Sequence, residues 1–184
     1  MSFITIGIDP GQHGGIVILN ENGDPIFAVN MPRVGDVYDY NTINAIFEEY
    51  SKVPAKVAIE LVGFMGAETA KNISDLVHHA GVLYGLSIAH SLPIILAPPS
   101  VWKKKIGLPP IGISYAKKGE TNEEKKKRTN ENARKRRAAK NVSIEHAIRL
   151  MPKLEETLGS KINDGVAEAA LIGEYVRRVM SNTD

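Results

Sequence analysis

Apolar residues cluster in five short stretches of this chain and recur at helical spacing in four others. Ile4, Ile6 and Ile8 predict a strand over residues 3–9, and the run at 14–20 predicts a second. After the turn signal Glu21-Asn22-Gly23-Asp24, Pro25 to Met31 returns as a third strand, which makes an antiparallel meander. Ile43, Ile46, Phe47 and Tyr50, behind the capping candidates Asp39 and Asn41, predict a helix over about 40–50. Lys56 to Glu60 reads as a fourth strand and Pro93 to Ala97 as a fifth, stopped by Pro98-Pro99. Between them, Ile73, Leu76, Val77, Ala80, Leu83, Tyr84 and Ile88 form a stripe on a helix over 69–91 that is wide enough to face both a core and an interface. Ile144, Ala147, Ile148 and Met151 mark a short helix, and Ala167, Ala170, Leu171 and Tyr175 a final one over about 163–180. The expected fold class is α/β: a mixed five-stranded sheet, a three-strand antiparallel meander plus two parallel strands, with helices on both sides.

Two of these strands end on acids. Ile8 is followed by Asp9 and then Pro10-Gly11, and Ile59 by Glu60. Asp-Pro-Gly by itself is ordinary turn chemistry. If the two strands are parallel neighbours, however, their carboxylates lie about 4.8 Å apart at the carboxyl edge of the sheet. The last helix begins Asn163-Asp164-Gly165-Val166-Ala167-Glu168, so Asp164 and Glu168 share one face. Alone, Asp164 is a carboxylate favoured by a helix N-terminus and Glu168 an exposed polar residue. Together, four acids without basic partners repel one another unless cations lie between them. Oxygen-only ligands suit Mg²⁺ or Mn²⁺, and two such ions about 3.5–4 Å apart support in-line displacement at a phosphodiester. Asp9, Glu60, Asp164 and Glu168 are thus the candidate catalytic and metal-ligating residues.

Composition limits what these acids can belong to. The chain has 184 residues, 43% hydrophobic and 24% charged, which predicts a single domain over 1–184. It has no cysteine, so thiolate ligands and nucleophiles are excluded. The start lacks a basic, then apolar leader, and no apolar run approaches the ~20 residues of a membrane span. A soluble, cytoplasmic protein is expected.

The net charge of +2 conceals an asymmetry: Lys103 to Lys140 holds fourteen Lys or Arg against four Glu, leaving nine basic and seventeen acidic residues elsewhere. Such a block marks either contact with a polyanion or a solvated charged segment. Its stretch from Glu123 to Lys140 is rich in helix formers and nearly devoid of large apolar residues. It is expected to be mobile or loosely helical without nucleic acid, and to supply phosphate contacts through Lys125, Lys126, Lys127, Arg128, Arg134, Lys135, Arg136 and Arg137. Lys103, Lys104 and Lys105 are further candidates for DNA contact, while Trp102 reads as a packing anchor. His78, His79 and His146 read as structural or surface residues. Gly11, Gly14 and Gly15 lack a following Gly-Lys-Ser/Thr, which argues against a nucleotide cofactor, and are expected to admit a substrate backbone.

"IGIDPG" on the first strand, "VAIE" on the fourth, "PPSVWKKKIGL" after the fifth and "NDGVAEAALIGEY" on the last helix resemble, in order and spacing, the RuvC family of Holliday junction resolvases. The likeness is to its phage-type members within the ribonuclease H-like superfamily, and it spans nearly the whole chain. It implies Asp9, Glu60, Asp164 and Glu168 as ligands of two Mg²⁺ ions, with Mn²⁺ substituting. It also implies a homodimer, four-way branched DNA as partner, paired nicks leaving 5′-phosphate and 3′-hydroxyl ends, and a phage-encoded protein acting in a bacterial cytoplasm. Bacterial RuvC carries a phenylalanine just after the corresponding glutamate, near the junction centre. Phe64 is its counterpart here with one extra residue, either a core plug or a ring that stacks on an unpaired base. Two departures stand out. Bacterial members have two aspartates three residues apart on the last helix, and they are more compact where this chain inserts a basic segment at about 109–141. The rivals are a non-catalytic branched-DNA binding protein and a ribonuclease H-like nuclease acting on other branched DNA or on RNA–DNA hybrids. A nucleotide-binding fold of the sugar-kinase or actin type shares the opening meander but ordinarily needs a longer chain.

Overall fold

In the computed structural model, which describes residues 3–61 and 70–181, the three central strands of the main sheet are buried on both faces, while the two edge strands expose Ile26 and Leu96. The sheet contains β1 (Ile4–Asp9), β2 (Gly15–Leu19) and β3 (Pro25–Asn30) as the antiparallel meander. A two-residue pair, β4 (Arg33–Val34) and β5 (Val37–Tyr38), forms a separate hairpin before α1 (Tyr40–Tyr50). Then come β6 (Ala55–Glu60), α2 (Ala70–Ala89), β7 (Ile94–Ala97), α3 (Pro99–Ile106), α4 (Asn122–Leu150), α5 (Leu154–Leu158) and α6 (Asp164–Ser181). The main sheet has the order β3-β2-β1-β6-β7, with β1, β6 and β7 parallel.

Side chains of successive residues alternate between two cores, which is why the strands read as continuous apolar runs. Ile6, Ile8, Ile16, Ile18, Val57 and Ile59 face α1 and α2, packing with Ile43, Phe47 and Leu83. Val17, Leu19, Ala58 and Ala97 face the other side, where α3, α4, α5 and α6 contribute Trp102, Ala147, Leu154 and Leu171. Asp39 caps α1 through Thr42, as its position in the sequence suggests. His79 is buried and neutral, its pKa pushed down to about 4 by burial, and its ring stacks on Tyr38 at 3.5 Å, tying the β4–β5 hairpin to α2.

Three local expectations change. Pro98-Pro99 ends β7 but also starts α3, since proline suits the first turn of a helix. The short helix expected near Ile144 is the end of α4, a 29-residue helix that runs through the basic insert. From Asn122 on, the insert is therefore a regular helix rather than a loose one, while its first part, 109–121, has no regular secondary structure. Thr121 and Glu124 form a reciprocal capping box; the buried Asn132 approaches its neighbours without a large apolar side chain, and Val142, Ile144, Ile148 and Leu150 pack the C-terminal half of the helix on the core. Among the described residues, no helix is long and apolar enough to cross a membrane.

Candidate active site

The acids at the ends of β1 and β6 are neighbours because the two strands run parallel and in register, Ile8 opposite Ile59. The last helix reaches them through close backbone contact. Gly7 of β1 faces α6, and a Cβ there would stand 2.2 Å from the Ala169 carbonyl. At the helix start, Gly165 pairs with Gly14, and a Cβ on Gly165 would meet the His13 carbonyl at 1.9 Å. Any side chain at either position would push α6 off the sheet. These contacts correct the expectation for Gly15, which stands against Val166 of α6 rather than opening toward a substrate; a Cβ on Gly14 would strike the Asp9 carbonyl, so that glycine lets the loop after β1 turn back tightly on Asp9. The Asn163 side chain accepts from the Val166 N–H at 2.8 Å, so α6 begins with Asp164 in its first turn and Glu168 one turn on.

The structure thus places Asp9 within electrostatic range of Glu60, Asp164 and Glu168, and Glu60 within range of Asp9 and Glu168. Burial pushes the Asp9 carboxyl up to about 6; the charges of Glu168 and Asp164 add to the rise, while the Gly11 N–H at 2.9 Å and Lys103 oppose it. Burial likewise pushes Glu60 up to about 7, reinforced by Asp9 and Glu168 and opposed by Lys103 and Trp102. Trp102 is more than a packing anchor: wholly buried, it donates from its indole Nε1 to Glu60 Oε1 at 3.0 Å.

On α6 the charges are compensated. Lys103 Nζ donates to Glu168 Oε1 at 3.0 Å, where the Ser143 hydroxyl also donates at 3.2 Å. Lys140 Nζ lies 2.6 Å from Asp164 Oδ2. Sequence reasoning missed Lys140 and Ser143 as site residues. The available signal was Ser143 standing four residues before Ala147, a polar side chain on the apolar, core-facing stretch of the helix. Among the described residues, no three acidic or histidine side chains form a ready-made cage for an ion. The donor set nonetheless suits a hard divalent cation: it is all oxygen, and burial together with the neighbouring acids makes the ionised forms of Asp9 and Glu60 costly, a cost that a cation between them would relieve.

The basic candidates divide by partner. Lys104 and Lys105 are exposed in the last turn of α3, and Lys125, Lys126, Lys127, Arg134, Arg136 and Arg137 are exposed on α4. Lys103 is engaged by Glu168, Arg128 by Glu120 through two hydrogen bonds, and Lys135 by Glu131. Phe64 lies outside the described residues.

A sheet of order β3-β2-β1-β6-β7 with acids at the ends of its adjacent parallel strands and on the helix packed across them is a ribonuclease H-like fold. No protein-family model matches the chain, and no curated protein sequence matches it. Among solved structures, T. thermophilus RuvC in complex with Holliday junction substrate superposes with a TM-score of 0.59 and 13% identity, over 98% of this chain and 97% of that one. Another T. thermophilus RuvC structure aligns with a TM-score of 0.44 and 16% identity, over 96% of each chain. The fold of this chain is RuvC-like.

Proposed function

We propose that this chain is a metal-dependent endonuclease that resolves four-way DNA junctions by paired phosphodiester hydrolysis, acting as a homodimer. The observation that carries the reading is the convergence of Asp9, Glu60, Asp164 and Glu168 at one sheet edge, with the first two pushed up to about 6 and 7. The fold adds support, since a solved structure that shares it is RuvC with a Holliday junction substrate.

The four acids would hold Mg²⁺, with Mn²⁺ able to substitute and two ions per site. When bound, the metal would supply Lewis-acid polarisation of the phosphate and a more acidic water. The remaining work belongs to the chain. Trp102 fixes the orientation of Glu60, the Gly11 N–H holds Asp9, and Ser143 holds Glu168. A phosphate entering the site competes with Asp164 and Glu168 for the ammonium groups of Lys140 and Lys103, and so frees the carboxylates. Lys104, Lys105 and the exposed cations of α4 meet backbone phosphates, which set register without reading sequence. Val77 and Ile88 are exposed on α2, with Gly81 and Gly85 between them on the same face. That face suits an isologous contact, whose two-fold axis would match the symmetry of a four-way junction.

The ion pairs on Asp164 and Glu168 favour a second reading, in which the chain binds branched DNA without cutting it. One experiment separates the two: purified protein incubated with labelled four-way, three-way, forked and RNA–DNA hybrid substrates, with and without Mg²⁺. Symmetric Mg²⁺-dependent nicks in the four-way junction support resolution. Binding without cleavage selects the second reading, and preferential cutting of hybrids or of other branches overturns the junction assignment.

A further inference from the structure

The segment between α3 and α4 lacks regular secondary structure, yet it is pinned to α4 at two points. Asn132, buried on α4, accepts from the Ser114 N–H at 3.0 Å and donates to the Ser114 carbonyl at 2.8 Å. Six residues after Ser114, Glu120 receives two hydrogen bonds from Arg128, at 2.7 and 2.8 Å. Between these clamps stands Tyr115. It is 82% exposed, more than any other large apolar side chain among the described residues, and Lys117 and Lys118 beside it are exposed too.

An exposed ring on an ordered backbone next to cations matches the requirements of sequence-tolerant base stacking: a π-face to cover a base and ammonium groups for the flanking phosphates. Pinning the backbone in advance lowers the ordering cost of binding. The position is also suitable. Asn132 precedes Lys140 by eight residues, about 12 Å along the helix axis, and Lys140 touches Asp164. Twelve ångströms correspond to three or four nucleotide steps of one strand at about 3.4 Å each.

We propose that Tyr115 stacks on an unpaired base of branched DNA, three or four nucleotides from the phosphate at the carboxylate site, with Lys117 and Lys118 on the adjoining backbone. The inference rests on the reading of this chain as a branched-DNA protein and assigns a base-contacting role within the basic insert.

The test uses the full chain without divalent metal. Its DNA probes are a four-way junction, a linear duplex of the same arm sequence, and a series of junctions that each carry one fluorescent 2-aminopurine two to five nucleotides from the crossover. Tyr115→Ala is expected to weaken junction binding about five- to tenfold while leaving duplex binding and melting temperature unchanged. It should also alter the 2-aminopurine signal of the bound complex at one or more positions, whereas Tyr115→Phe behaves as wild type. Wild-type junction affinity and wild-type signals at every position in Tyr115→Ala overturn the inference and leave the proposed function standing. A lowered melting temperature with equal loss on duplex and junction also overturns it, by making Tyr115 structural. A wild-type protein that binds no branched DNA overturns both.

Discussion

Lys140 of the basic helix α4 lies 2.6 Å from Asp164, the first residue of α6, so the segment with the greatest positive charge ends on the site with the greatest negative charge. The pair is partly exposed and worth at most about 1 kcal/mol. Lys140→Met removes a cation from beside a candidate metal ligand. The affinity of the DNA-free protein for Mg²⁺ should therefore rise, by up to about fivefold, in a calorimetric titration. An unchanged or lower affinity would mean that Asp164 does not take part in binding the ion.

Asp9→Asn or Glu60→Gln should abolish cleavage of a four-way junction while binding stays equal or tightens, because a negative group facing phosphate is lost. Gel assays of nicking and of complex formation on the same preparation test this. Of Asp164→Asn and Glu168→Gln, at least one should behave alike; full activity in both would show that α6 is not part of the site.

The raised carboxyls make a pH-dependent stability prediction. Asp9 titrates near 6 when folded against 3.8 ordinarily, and Glu60 near 7 against 4.5. Each proton is held more tightly by the folded state, so this contribution to stability is present below about pH 4 and is lost as pH rises to about 7. Asp9→Asn mimics the protonated form. It should be more stable than wild type at pH 8, by about 3 kcal/mol, with the gap closing at pH 4 in denaturant titrations. Saturating Mg²⁺ should narrow the gap at pH 8 by stabilising the wild type alone.

Trp102→Phe keeps most of the packing and removes the hydrogen bond to Glu60. Without that donor the Glu60 carboxyl rises further, so the acidic limb of the pH–activity profile should move to higher pH. The fold should lose about 1–2 kcal/mol from the trimmed ring and the missing bond. A stability loss with an unmoved profile would leave Trp102 as packing alone.

Neutralising Arg134, Lys135, Arg136 and Arg137 together should flatten the dependence of DNA binding on salt. Each lost phosphate contact reduces the slope of log K against log salt by about 0.9. Since Lys135 is already engaged by Glu131, the expected reduction is about 3 rather than 4. An unchanged slope would make this part of α4 a solvated charged face.

The sequence by itself determined the alternation that builds the sheet, the two strands ending on Asp9 and Glu60, the pairing of Asp164 with Glu168 on one helical face, and the concentration of charge from Lys103 to Lys140. These are properties of neighbours along the chain, where periods of 2 and 3.6 residues fix which side chains share a face. Only the tertiary structure decided what crosses between elements. From Asn122 on, the insert is a capped helix continuous with the segment after it, although its composition suggests a loose one: Asn132 buries its side chain against Ser114, and the same helix goes on to pack Val142, Ile144, Ala147 and Ile148 on the core. Gly7 and Gly165 serve helix-to-sheet contact, which no spacing in the sequence reveals, since the excluded Cβ atoms would strike backbone more than a hundred positions away. Lys103, Lys140 and Trp102 reach three different acids for the same reason: a hydrogen bond at 3 Å depends on how helices and strands are packed, and the chain order of its partners carries no record of it.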